Sequence, residues 1–166
     1  MNILSPEEVR NAAKRKEKEN LRFRTFLKNR VNPDDLDQKF HALHKELFGN
    51  YDCCRCGNCC RTYSTILERG EIETIAAHLD MSVESFVGTY LAEGAEGLEL
   101  KAPCAFLGDA GKCAIQECKP EECRGFPYTD RPDRWSSLYS ILEFAEHCPV
   151  VYEMLERLKD IYRFRR

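Results

Sequence analysis

Cys53-Cys54-Arg55-Cys56-Gly57-Asn58-Cys59-Cys60 places five thiols within eight residues. Five more follow at Cys104, Cys113, Cys118, Cys123 and Cys148. A cysteine used only for packing is a small apolar group, replaceable without the cost of its reactivity. Thiols this dense point instead to a metal or iron–sulfur centre. Within the stretch, Cys53-x-x-Cys56-x-x-Cys59 is the informative spacing, because two intervening residues let the chain turn and bring successive thiolates towards one point. Bacterial ferredoxins use the same run for three ligands of a [4Fe–4S] cluster, and a remote Cys-Pro completes the coordination. Cys148-Pro149 is a remote Cys-Pro here. With no second such run, the chain is not a two-cluster ferredoxin.

Zinc is the rival. A Cys₄ site pairs Cys53/Cys56 or Cys56/Cys59 with a remote pair. Cys104 and Cys113 suit that role, although their spacing is looser than that of a zinc knuckle. Vicinal side chains in an extended chain point to opposite faces, so Cys59 and Cys60 can serve different centres, or a centre and the core. Setting Cys54 and Cys118 aside as extra leaves Cys53, Cys56, Cys59, Cys60, Cys104, Cys113, Cys123 and Cys148. They suffice for two four-thiolate centres, or for one centre with reserve thiols. Gly57 fits a tight turn whose backbone amides can face a bound sulfur, and Arg124 can offset the negative charge of a thiolate centre.

Working outward, 166 residues suit one domain with one core. The net charge of −3 favours no global partner. No signal-peptide pattern opens the chain and no apolar stretch reaches membrane-span length, so a cytoplasmic protein without a transmembrane segment is expected. In a reducing compartment the cysteines read as ligands rather than disulfides.

Ser5-Pro6-Glu7-Glu8 starts a basic helix that is expected to run to about Lys28. Asn32-Pro33-Asp34-Asp35 starts a second helix, with Leu36, Phe40, Leu43 and Leu47 as its core stripe. The cysteine stretch reads as an irregular loop. Helices follow over Arg69–Leu79 and from Ser82. A strand is expected at Leu98–Lys101, and a hairpin turn at Gly108-Asp109-Ala110-Gly111-Lys112. A single helical turn begins at Lys119-Pro120. Later helices span Trp135–His147 and continue from Pro149, the last one facing inward with Val151, Met154, Leu155, Leu158 and Ile161. The expected class is mostly α, a small helical domain with an irregular or short β-hairpin cysteine-rich element. Residues 1–31 would be a basic helical appendage and residues 32–166 the metal-binding domain. His41 and His44 read as half-buried, hydrogen-bonded side chains, and His147, beside Cys148, is a ligand candidate. Lys112 and Lys119 read as solvated. Phe23 and Phe26 read as packing residues.

The cysteine pattern resembles the CxxCxxCC signature of the YkgJ-like cysteine-cluster proteins, described as zinc- or iron-chelating domains. Pro103-Cys104-Ala105-Phe106-Leu107 extends the resemblance. So does Cys113-Ala114-Ile115 with Pro120, Cys123, Arg124, Phe126 and Pro127, like the family's C-x-I-Y-x-x-R-P-x-x-C-R-x-x-P. The likeness covers roughly residues 50–150. Gln116 replaces the usual Tyr, and Lys119 the usual Arg, which keeps charge but loses bidentate pairing. A related domain occurs in flagellin lysine N-methylases, so the resemblance implies a redox or methyl-transfer enzyme as one alternative. The chain has no Gly-rich nucleotide loop after a strand to support that activity.

The leading expectation is a cytosolic protein holding a cysteine-ligated centre, [4Fe–4S] ahead of Zn²⁺, in electron transfer, iron handling or support of a modification reaction. The other alternative is a structural zinc module presenting the basic N-terminal helix to nucleic acid or to a protein partner.

Overall fold

The computed structural model describes residues 3–109 and 111–165. The elements run α1 (Val9–Arg15), α2 (Glu17–Arg30), α3 (Pro33–Phe48), α4 (Cys53–Cys56), α5 (Asn58–Thr62), β1 (Thr65–Ile66), α6 (Arg69–His78) and α7 (Val83–Tyr90). They continue as β2 (Leu91–Glu93), β3 (Leu98–Leu100), a 3₁₀ turn at Gln116–Cys118, α8 (Glu121–Gly125), α9 (Leu138–Phe144) and α10 (Pro149–Ile161). The chain is mostly α-helical with a small antiparallel sheet. Two compact units can be distinguished: Met1–Asp52 with Pro127–Arg166, and Cys53–Phe126.

The first unit is helical. Asn32 accepts from the backbone N–H groups of Asp34 (2.8 Å) and Asp35 (3.2 Å), and Pro33 supplies the fixed φ of a first helical residue. The stripe on α3 is buried as its spacing predicts, with Leu36, Phe40 and Leu47 fully enclosed. Val9, Ala12, Ala13, Phe23 and Leu27 enter the same core, together with Leu138, Ile141, Met154, Leu155 and Leu158. Phe23 stacks with Phe26, and both rings meet Phe164 at 5.1 and 5.5 Å, so the two phenylalanines pack.

The expected continuous first helix is broken at Lys16. No breaker residue marks the spot. A tertiary pairing does: the Lys16 ammonium meets the Glu156 carboxylate on α10. Glu156 also holds Lys159, whose fully buried Nζ donates to Glu156 (2.6 Å), Asn20 (2.6 Å) and Glu19 (2.7 Å). All three ammonium protons thus find acceptors, as a buried cation requires. Ile161, expected on the inner face, is exposed because α10 ends there, and the returning Phe164 takes up the packing instead.

The second unit has its own core of Leu67, Ile72, Ile75, Ala76, Phe86, Leu100, Phe106 and Ile115. Its sheet has the order β1-β3-β2, with Thr65 opposite Leu100 and Leu91 also opposite Leu100 on the other side. Ser82 caps α7 through the Ser85 N–H at 3.1 Å. β1 carries no sequence signal, being two residues long. It forms because β3 offers it an open edge.

Candidate metal centre

The cysteine stretch is not a loop. It is two helical turns, α4 and α5, joined at Gly57, whose φ of 63° suits a residue without a Cβ. Local backbone bonds explain the change: Gly57 N–H donates to the Cys53 carbonyl (3.2 Å), Arg61 N–H to Gly57 (3.2 Å) and Tyr63 N–H to Cys59 (2.9 Å). The Gly57 amide is therefore engaged within the turn rather than aimed at a sulfur. The Arg61 guanidinium reaches back and donates to the Cys56 carbonyl at 2.8 Å. A second glycine completes the enclosure. Gly111 has a φ of 76°, and a Cβ there would stand 2.1 Å from the Cys54 carbonyl oxygen.

Three further segments meet this run. Cys104 N–H donates to the Cys60 carbonyl at 2.8 Å, which fixes residue 104 beside α5. The hairpin forms as its turn residues predict, with Leu107 paired to Cys113, Ala114 N–H bonded to Phe106 (2.8 Å) and Gly108 N–H bonded to Lys112 (2.9 Å). Ala110 of that turn lies outside the described residues. Cys123 rides on α8, which two carboxylates tie down. Glu71 accepts from Glu121 N–H (2.7 Å) while its other oxygen closes the α6 capping box on Glu68 N–H (2.9 Å). Glu122 accepts from Ile66 N–H on β1 (3.2 Å). The Thr65 hydroxyl then lies 3.3 Å from the Cys123 sulfur.

The electrostatics bind these thiols into one group. The Cys60 thiol is pushed down to about 6 by the hydrogen bond with the Cys59 sulfur, 3.9 Å away, against the effect of burial and with help from Lys119 and Arg61. Burial pushes Cys104 and Cys123 up, and both feel the charges of Cys60 and Cys113. Thr65 and Lys119 offset part of this at Cys123. Cys118 is also raised by burial and feels Cys113.

The Cys59 and Cys60 sulfurs thus lie 3.9 Å apart, and Cys60, Cys113 and Cys123 lie near enough to Cys104 for their charges to act on it. Cys53 is exposed and Cys56 half-buried on α4, at the head of the same run. Cys148 belongs to the helical unit, where it precedes Pro149 and packs against that unit's core. Arg124 is exposed on α8. Lys119, read from the sequence as solvated, is half-buried and acts on two thiols. Thr65, Arg61 and Glu71 were not legible as site residues. Only Arg61 carried a hint, its place directly after Cys60.

The ten cysteines stand as thiols rather than disulfides. Among the described residues no group of three or more Cys, His, Asp or Glu side chains is already spaced to hold a metal ion. The donor chemistry nonetheless fits one: soft sulfur ligands, one of them ionised near neutral pH, suit zinc and iron–sulfur centres. One histidine is engaged within the helical unit. His44 Nδ1 bonds the Thr129 hydroxyl at 2.9 Å and its ring packs on Phe48. His147 is half-buried in the helical unit, its basicity lowered by burial and by Arg10 and Lys14, with Glu146 opposing.

A family model, CxxCxxCC, described as a "putative zinc- or iron-chelating domain", matches residues 52–149. No curated protein and no solved structure matches the chain. Among the described residues no helix is long and apolar enough to cross a membrane.

Proposed function

The chain belongs to the CxxCxxCC family, and from that premise we propose that its cysteine-rich unit holds a thiolate-ligated centre, an iron–sulfur cluster in preference to zinc. The observation that carries the proposal is the convergence of Cys59 and Cys60 with Cys104, Cys113 and Cys123 from three other segments. Cys53, Cys56 and Cys59 would supply the ferredoxin-like run, and one of Cys60, Cys104, Cys113 and Cys123 the fourth ligand. Such a cluster supplies one-electron chemistry, and the role that follows is electron transfer or iron handling.

The protein's own residues prepare the site. Gly57 joins the two turns of the run, and Lys119 places positive charge where thiolate charge gathers. Thr65 directs a hydrogen bond at the Cys123 sulfur, which favours its ionised form. Zinc remains the second reading because the charges of Cys60, Cys113 and Cys123 all reach Cys104, and four thiols are the number of a tetrahedral site. The test is anaerobic purification with metal and sulfide analysis and an absorption spectrum. Brown protein absorbing at ~400 nm, with iron and acid-labile sulfide, is the expected result. Colourless protein with stoichiometric zinc would transfer the site to the second reading, and a protein that takes up neither metal would overturn both.

A further inference from the structure

We infer that Arg61 is a positioning residue: its guanidinium clasps the Cys56 carbonyl and thereby sets the two thiol-bearing turns, Cys53–Cys56 and Asn58–Thr62, in fixed relation before any ligand arrives. The inference rests on the metal-binding reading for its purpose but not for its geometry. Two hydrogen bonds and one close approach define the clasp. Arg61 Nη1 donates to the Cys56 carbonyl at 2.8 Å. Arg61 N–H donates to the Gly57 carbonyl at 3.2 Å, so one residue is anchored on both sides of the hinge. A Cβ on residue 57 would stand 2.8 Å from the same Nη1, so the glycine leaves the room that the guanidinium occupies. Gly57 is thus required for its left-handed φ, and its missing Cβ leaves the space in which the flexible Arg61 side chain lies.

The chemistry explains why an arginine stands there. The last carbonyls of a helical turn lack intrahelical donors, and the short α4 ends at Cys56. A cationic donor to such a carbonyl forms a stronger bond than a neutral one. A run of ligands joined by an unclasped glycine would sample many relative orientations, and binding would have to order them. Closing the hinge in advance removes that cost for Cys56 and Cys59.

The test uses the full chain with Arg61→Met, which keeps length but removes the donor, and Arg61→Lys, which restores one. Arg61 faces solvent, so both variants are expected to keep the parent's helix content by circular dichroism. In the metal-free protein, Arg61→Met should speed amide hydrogen exchange at Gly57, Arg61 and Tyr63 on the order of tenfold, the loss expected for one charge-assisted bond. Arg61→Lys should stay near the parent. Zinc affinity, read by competition with a chromogenic chelator, should fall on the order of tenfold in Arg61→Met, as for other residues that orient ligands. Unchanged exchange in Arg61→Met would overturn the clasp. Faster exchange with unchanged zinc affinity would overturn its positioning role. A loss in Arg61→Lys as large as that in Arg61→Met would also overturn it, since a restored cationic donor would then fail to hold the carbonyl. If the parent takes up no zinc or iron, the metal reading falls by itself, and the exchange measurement still decides whether the clasp exists.

Discussion

At Cys60 a neighbouring sulfur 3.9 Å away and two nearby cations outweigh the penalty of burial, and the thiol titrates at about 6 instead of 9.0. Because the two sulfurs share the hydrogen bond, that step belongs to the Cys59–Cys60 pair. A group whose folded value is depressed adds stability that is complete above the unfolded value and is lost as pH falls through the folded one. The window here runs from 9.0 down to about 6. Thiolate absorbance of the metal-free protein is therefore expected to show a step near pH 6, absent in Cys60→Ser and moved upward in Cys59→Ser. A flat trace between pH 5 and 8, on the order of the range bracketing that step, would contradict it. Thr65 makes a separate prediction. Thr65→Val keeps the shape and removes the hydroxyl that lies 3.3 Å from Cys123. Metal affinity is expected to drop roughly tenfold in Thr65→Val and to be retained in Thr65→Ser. Equal affinity in Val and Ser variants would show that the hydroxyl is idle.

The elements that carry the thiols owe their positions to contacts the chain makes over long separations. α8 is five residues long and cannot orient Cys123 alone. Glu71 and Glu122 tie its N-terminal end to α6 and β1. Glu71→Ala breaks the α6 capping box and the tether to Glu121 together. It should raise the alkylation rate of Cys123 while leaving that of Cys53, which is already exposed, unaltered. In the helical unit the matching element-scale feature is Lys159 on α10. Its removal leaves the Glu19 and Glu156 carboxylates without their buried cation, so Lys159→Ala is expected to cost about 3–5 kcal/mol in denaturant unfolding. A loss under about 1 kcal/mol would mean that the carboxylates find water.

These elements also mark what could be read in advance. Helix starts with a cap and a proline, at Asn32-Pro33, and the four-residue stripe on α3 were legible because local chemistry specifies them. The hairpin around Gly108 was legible from its turn residues. The break at Lys16, strand β1 and the helical form of the cysteine stretch were not. Each depends on a partner far along the chain or on backbone bonds that leave no residue-type trace. The thiols announced the site, whereas Thr65 and Glu71 are ordinary residues made specific by what folds against them.

At the scale of the molecule, two cores form within one chain, one built on Phe23, Phe40 and Met154, the other on Ile75, Phe86 and Ile115. Phe40→Ala should cost about 3–5 kcal/mol, a fully buried aromatic being lost, with metal stoichiometry unchanged. Loss of metal binding in that variant would show that the cysteine-rich core needs the helical one. The order of these cores along the chain has a consequence for the protein's birth on the ribosome. The cysteine-rich unit, Cys53–Phe126, is complete while Pro127–Arg166 is still to be made. At about 5–20 residues per second, the helices α9 and α10 emerge only seconds later. For that interval α1, α2 and α3 wait without the segments that bury Phe23 and Phe40, and nascent-chain chaperones have the most reason to bind there. Nine of the ten cysteines, all but Cys148, are by then in the chain, so on the proposed function the growing chain would be able to take its metal before its other half has folded.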